Sequence, residues 1–122
     1  MKRKTILKHD DFVTPKDGIS SHCEYFMVRT KPAKIPNDPR YGIIVSKRTF
    51  KLAVQRNRAK RMLRDWIAVN ENIMNPDLDY VIIAFNTILG ASRDLGREKM
   101  RKILRRIARI YERYGYKKHD LD

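Results

Sequence analysis

The spacing of apolar positions changes along the chain, and each change marks an element. Residues 22–30, His-Cys-Glu-Tyr-Phe-Met-Val-Arg-Thr, carry the aromatic and branched side chains of a strand. Residues 31–40 hold Pro32, Pro36, Asn37, Asp38 and Pro39 and read as a loop. Tyr41-Gly42-Ile43-Ile44-Val45-Ser46 predicts a second strand, buried on both faces and paired with the first as a hairpin across that loop. From Leu52 the period becomes helical. No Gly or Pro intervenes before Pro76, and at 100° per residue Ala59, Met62, Leu63, Trp66, Asn70 and Ile73 fall along one side. This predicts a helix that starts near Phe50 and runs over about Lys51 to Ile73. It stops at Asn75-Pro76, because proline cannot extend a helix and disfavours it in the residue before.

Leu78 to Phe85 is a continuous apolar run suited to the middle of a sheet. After a loop over Asn86 to Gly90, Ser92 is placed to cap a last helix to about Tyr114, with Gly115 at its end. Its inward side is read as Leu95, Met100, Ile103, Leu104, Ile107, Ile110, Tyr111 and Tyr114. At the amino end Thr5 is placed to cap a short helix through Val13, stopped by Pro15. The order short helix, strand, strand, long helix, strand, helix predicts a small two-layer α/β sandwich. The length of 122 residues suits one domain, 1–122, with residues 1–5 and 115–122 as flexible tails.

Charge changes the picture more than composition does. Lys plus Arg is 28 against 14 Asp plus Glu, a net charge of +14, which favours nucleic acid as the partner over an anionic membrane surface. The excess is concentrated. Between Lys47 and Arg64 stand Lys47, Arg48, Lys51, Arg56, Arg58, Lys60, Arg61 and Arg64 without one carboxylate. Asn57, Lys60, Arg61 and Arg64 lie opposite the apolar side of the predicted helix. A solvated helix face ordinarily mixes signs and gains from ion pairs one turn apart, whereas these cations repel one another unless an anion joins them. Arginine predominates, which suits forked hydrogen bonds to phosphate and stacking on bases. A second basic face, Arg97 to Arg109, has only Glu98 against it and reads equally as solvated or binding.

Catalytic chemistry is harder to assemble. His9, His22 and His119 lack partners at helical spacing, Asp10 and Asp11 are adjacent and so diverge on a helix, and Asp77 and Asp79 flank a strand start where capping is their expected role. Cys23 is alone and reads as a small structural hydrophobe. No phosphate-cradling Gly loop or zinc spacing is present. No apolar run long enough to span a membrane and no apolar signal core after the basic start occurs, so a cytoplasmic location is expected. The residues themselves describe a nucleic-acid-binding module without a catalytic centre of its own.

Tyr41-Gly42-Ile43-Ile44-Val45-Ser46-Lys47-Arg48, followed by Ala53-Val54-Gln55-Arg56-Asn57-Arg58-Ala59-Lys60-Arg61-Met62-Leu63-Arg64-Asp65, resembles the protein subunit of bacterial ribonuclease P. That family leads a Gly-hydrophobic-Ser-Lys-Lys/Arg strand into a helix bearing Ala-Val, Arg-Asn-Arg, Lys-Arg and a further Arg. The resemblance implies an α/β sandwich like a ribosomal protein domain with a left-handed βαβ crossover, against the usual hand. It implies a 1:1 partnership with a catalytic RNA that removes the 5′ leader of precursor tRNA, with Mg²⁺ held mainly by that RNA. Lys47, Arg48, Lys51, Arg56, Asn57, Arg58, Lys60, Arg61 and Arg64 would then contact RNA. Phe12, with Arg29 close to the position of a strand aromatic of the family, would line a cleft for leader nucleotides. Two departures stand out: the family's second aromatic, one turn past Phe12, falls near Thr14 to Lys16, and the turn Thr49-Phe50-Lys51-Leu52 is one residue longer. A ribosomal-type structural RNA-binding protein and a small autonomous basic ribonuclease are the alternatives.

Overall fold

A computed structural model describes residues 4–6, 12–15, 18–35, 38 and 40–116. The element order is β1 (Lys4–Thr5), β2 (Ser20–His22), β3 (Phe26–Pro32), β4 (Arg40–Ile44), α1 (Ala53–Val69), β5 (Leu78–Ala84) and α2 (Arg93–Tyr114). Short 3₁₀ turns cover Glu71–Ile73 and Asn86–Gly90. The five strands form one sheet in the order β1-β4-β5-β3-β2. The two-layer α/β sandwich expected from the pattern is therefore present, with differences of detail that have physical causes.

The first difference is strand pairing. β3 and β4 are not a hairpin, because β5 lies between them, antiparallel to β3 and parallel to β4. β5 is buried at every position except the half-buried Ile83, and a strand apolar on both faces must be flanked on both edges. The predicted strand over 22–30 is in fact a hairpin of its own, β2 and β3, turning at Cys23–Tyr25, where Cys23 N donates to Phe26 O at 3.0 Å. Thr5 does not cap a helix and residues 4–5 are not tail. They form β1, parallel to β4, with Thr5 opposite Tyr41. Asp10 and Asp11 lie outside the described residues.

One face of the sheet, carrying Phe26, Val28, Leu78, Tyr80, Ile82 and Ala84, belongs with both helices to the core. α1 contributes Ala59, Leu63, Trp66 and Ile67, and α2 contributes Met100, Ile103, Leu104 and Ile107. Leu95, expected inward, is 41% exposed, and its neighbour Gly96 is buried instead. A β-carbon on Gly96 would lie 2.0 Å from Trp66, so the absence of a side chain lets α2 close on the indole. Asn70 then ties the helices together, donating to Trp66 O at 2.9 Å and Arg97 O at 3.1 Å. Ser92 caps α2 by accepting from Leu95 N, and Gly115 ends it at φ 76°. Gly115 and Tyr116, expected in the carboxy-terminal tail, are held in place, the Tyr116 hydroxyl donating to Thr30 O over Gly18, while residues 117–122 of that expected tail lie outside the described residues.

Candidate nucleic-acid interface

The cationic stretch begins as a turn. α1 starts at Ala53, three residues after the expected point, because Phe50 is 1% exposed and anchors the chain in the core before the helix begins. Ser46 Oγ accepts from Thr49 N at 3.1 Å and Phe50 N donates to Ser46 O at 2.9 Å, closing a tight loop with Lys47 and Arg48 exposed at its tip. Arg56 is partly committed: its Nη1 donates to Phe50 O at 2.7 Å and to Lys51 O at 3.3 Å, holding this loop against the helix. No acidic residue occupies the first turn of α1, so its positive dipole end is uncompensated and adds to the field of the surrounding cations.

The remaining α1 cations divide between two flanks. Lys60 and Arg64 face the sheet edge, where with Phe12, Ile6, Tyr41 and Gly42 they line a cavity of about 250 Å³. Arg58 and Arg61 face the other way, toward the start of α2, in a groove that also holds Arg93. Asn57 and Lys51 are exposed between these regions.

Phe12 and Arg29 belong to the sheet face away from the helices. The Phe12 ring lies on Gly42, where a β-carbon would come within 2.4 Å of Cε1, so glycine is what lets the ring reach the backbone. Register then sets the row: Gly42 is opposite Val81, and Val81 is opposite Arg29. Two strand spacings, about 10 Å, separate Phe12 from Arg29. The next row places His22, Met27, Ile83 and Ile44 on the same face, of which Met27, Ile83 and Ile44 are half-buried. Arg29 is exposed and its Nε donates to Met27 Sδ at 3.4 Å. Past Phe12, Val13, Thr14 and Pro15 border an open groove with Lys31 and Lys34. The result is a band of apolar and cationic side chains that joins the α1 cations at Phe12.

The Ribonuclease P family model matches residues 1–108 of this chain. The chain belongs to the ribonuclease P protein family. The ribonuclease P protein component of Desulforapulum autotrophicum is 30% identical over 109 residues, 88% of this chain and 92% of that one. That of Pseudomonas putida is 48% identical over a shorter stretch of 46 residues, so the chain matches only 34% of that relative's length. The solved RNase P protein of Staphylococcus aureus superposes with a TM-score of 0.69 at 29% identity, covering 84% of this chain and 94% of that one.

Within the chain, the described carboxylates lie where they cancel cations on α2 rather than on α1. Arg97 grips Asp65 with two hydrogen bonds of 2.9 and 2.8 Å and holds its carboxyl below the usual range. Glu98 is held low by its hydrogen bond from Arg101, with Lys102 and Arg105 adding to the effect. Glu24, lowered by its own backbone N–H and then by Lys99, pairs with Lys99 at 3.2 Å. Asp79 is more than the strand-edge cap expected. It is fully buried in β5 and accepts from Arg40 N at 2.8 Å, Arg40 Nη2 at 3.2 Å and Lys34 N at 3.3 Å, fixing the loop that carries Lys34.

His22 is exposed on β2, and His9 and His119 lie outside the described residues. Cys23 is half-buried, and burial pushes its thiol up. No group of three or more His, Cys, Asp or Glu converges among the described residues, and no helix there is long and apolar enough to cross a membrane. Sequence reasoning missed Arg93, Tyr41 and Lys31. Tyr41 was visible only as a strand residue, and Arg93 and Lys31 enter the surface through tertiary packing that no local spacing encodes.

Proposed function

We propose that this chain acts as the protein subunit of ribonuclease P, binding a catalytic RNA and the 5′ leader of precursor tRNA and supporting Mg-dependent endonucleolytic removal of that leader. The observation that carries the reading is the cavity in which Phe12 meets Lys60 and Arg64. It makes the exposed sheet face and the basic helix one continuous surface. On this reading the loop and helix cations, Lys47, Arg48, Lys51, Arg58, Lys60, Arg61 and Arg64 with Asn57, take phosphates of the RNA subunit, and Arg56 does so with the part of its guanidinium left by the loop. Leader nucleotides lie from Phe12 toward Arg29, with the Phe12 ring offering a stacking surface and Arg29 a charge.

The described carboxylates near this surface suit a resident Mg²⁺ poorly. Asp65, Glu98 and Asp79 already answer arginines, and an ion asks for several free oxygens. We therefore assign Mg²⁺ and hydrolysis to the RNA subunit, in a 1:1 cytoplasmic particle. The test is cleavage of a precursor tRNA at low Mg²⁺ by a bacterial ribonuclease P RNA, with and without the protein, beside the protein alone. Stimulation only in the combined reaction supports the reading. Cleavage by the protein alone, surviving repurification and lost on His22→Ala, would replace it with an autonomous ribonuclease. RNA affinity indifferent to the leader and without stimulation would replace it with a ribosomal-type binder. If about six phosphates are neutralised, log affinity should fall against log salt with a slope of about −4 to −5.

A further inference from the structure

The groove between α1 and the start of α2 has a volume of about 310 Å³ and is lined by Arg58, Arg61, Met62, Trp66, Ala91 and Arg93. Three arginines from two elements converge on it. The side chains of the three make no hydrogen bond or ion pair with another described residue, and Arg93 acts on the groove's carboxylate Asp65 only through space. The one carboxylate in the groove, Asp65, has both oxygens engaged by Arg97 at 2.8 and 2.9 Å. Its charge is therefore largely answered before the other arginines draw on it. Converging like charges raise the energy of the free protein, and an anion placed among them removes that cost. Guanidinium forks suit a phosphate bound through two oxygens, and the partly exposed Met62 and Ala91 suit a flat, uncharged group attached to it.

We propose that Arg58, Arg61 and Arg93 form a pocket for a backbone phosphate of the catalytic RNA, with the adjoining nucleoside resting on Met62 and Ala91 above the buried Trp66. The proposal rests on the ribonuclease P reading above and adds α2 to the RNA-binding surface through Arg93. The RNA subunit is the source because the pocket lies on the flank of α1 turned away from Phe12, whereas the leader band lies on the Phe12 side.

The experiment compares the full chain with Arg93→Ala, Arg93→Lys and, as a control on the outer face of α2, Arg109→Ala. Each is titrated onto a bacterial ribonuclease P RNA over a salt series, and separately onto the RNA-bound state with precursor tRNAs of increasing leader length. Arg93 is exposed, so its loss should leave the fold intact. Arg93→Ala is expected to weaken RNA-subunit affinity about tenfold and to flatten the salt slope by about 0.7 to 0.9. Arg93→Lys should keep the slope but regain only part of the affinity, and Arg109→Ala should change neither. Unchanged affinity and slope in Arg93→Ala would overturn the pocket. A loss confined to leader-dependent affinity would overturn its assignment to the RNA subunit. Trp66 is the sole tryptophan and therefore reports directly on the groove. If the parent protein fails to stimulate cleavage, the ribonuclease P reading falls, while Trp66 emission with a short single-stranded RNA still judges the pocket. Quenching abolished by Arg93→Ala supports it, and no quenching overturns it.

Discussion

Replacing Gly96 by alanine isolates the contact that sets the two helices against each other. The new β-carbon would lie 2.0 Å from both Cε2 and Cζ2 of Trp66 and 2.6 Å from Cδ2. Carbon atoms in good contact stand about 3.5 to 4.0 Å apart, so roughly 1.5 Å must be recovered by movement. The indole has little room to give, being 1% exposed and stacked at a tilt on Phe26 with centroids 6.0 Å apart. The displacement therefore falls on α2. Two effects compete. Alanine is the better helix former by about 1 kcal/mol, and overfilling a closed contact costs about 1 to 3 kcal/mol or more. An overlap this deep with a rigid ring puts the cost at the upper end, for a net loss of about 2 kcal/mol. In a chain of this size that lowers the melting temperature by roughly 5 to 10 °C. Far-ultraviolet circular dichroism during heating measures it directly. Gly96→Ala combined with Trp66→Phe should lose less than the sum of the two single changes, since the smaller ring makes space. A Gly96→Ala protein as stable as the parent, or more stable, would refute the reasoning and reduce Gly96 to an ordinary helical glycine.

Other expectations follow from the same geometry. Asp79→Ala removes a buried carboxylate together with the hydrogen bonds it accepts from Arg40 N, Arg40 Nη2 and Lys34 N and should cost about 3 to 5 kcal/mol in chemical denaturation; a loss below about 1 kcal/mol would show that the pair contributes little to the fold. Gly42→Val should expel the Phe12 ring from the sheet face, lowering affinity for leader-bearing precursor tRNA several-fold while affinity for the RNA subunit holds; equal losses for both RNAs would contradict the division of the surface. Asp65 is held low by Arg97, so its contribution is present above the pKa of the unfolded chain and lost as pH falls through the folded value. The stability gap between parent and Asp65→Asn should accordingly be open at neutral pH and close below about pH 4. A gap constant across that range would mean that the Asp65–Arg97 pair contributes no net charge stabilisation.

The parts of the fold that depend on local pattern were legible and those that depend on pairing were not. The amphipathic phase of α1 put Ala59, Leu63, Trp66 and Asn70 inward, and all four are buried. The Ser92 cap and Gly115 stop of α2 follow from side-chain chemistry within a few residues. The two sheet errors share another cause. Nothing local says that β5 inserts between β3 and β4, or that Lys4–Thr5 finds an edge of β4 far along the chain. Phe50 misled for a related reason. Its helix-compatible neighbours extend the pattern backward, but burial of its ring requires the chain to turn before the helix can begin.

The site follows the same rule, and the distinction between the two basic helices shows why charge counting is insufficient. α2 carries more cations than α1, but Asp65, Glu98 and Glu24 answer Arg97, Arg101 and Lys99, so part of its charge is internally matched. The outer face of α1 has no such partners: among the described residues the side chains of Lys60, Arg61 and Arg64 make no ion pair or hydrogen bond. A surface that keeps like charges together with no neutralising side chain gains the most when an external polyanion arrives, because counterions are released and repulsion is relieved in the same event. Arg93 was invisible in the sequence because it sits on a different helix from Arg58 and Arg61, and it joins them only because Gly96 lets α2 close against Trp66.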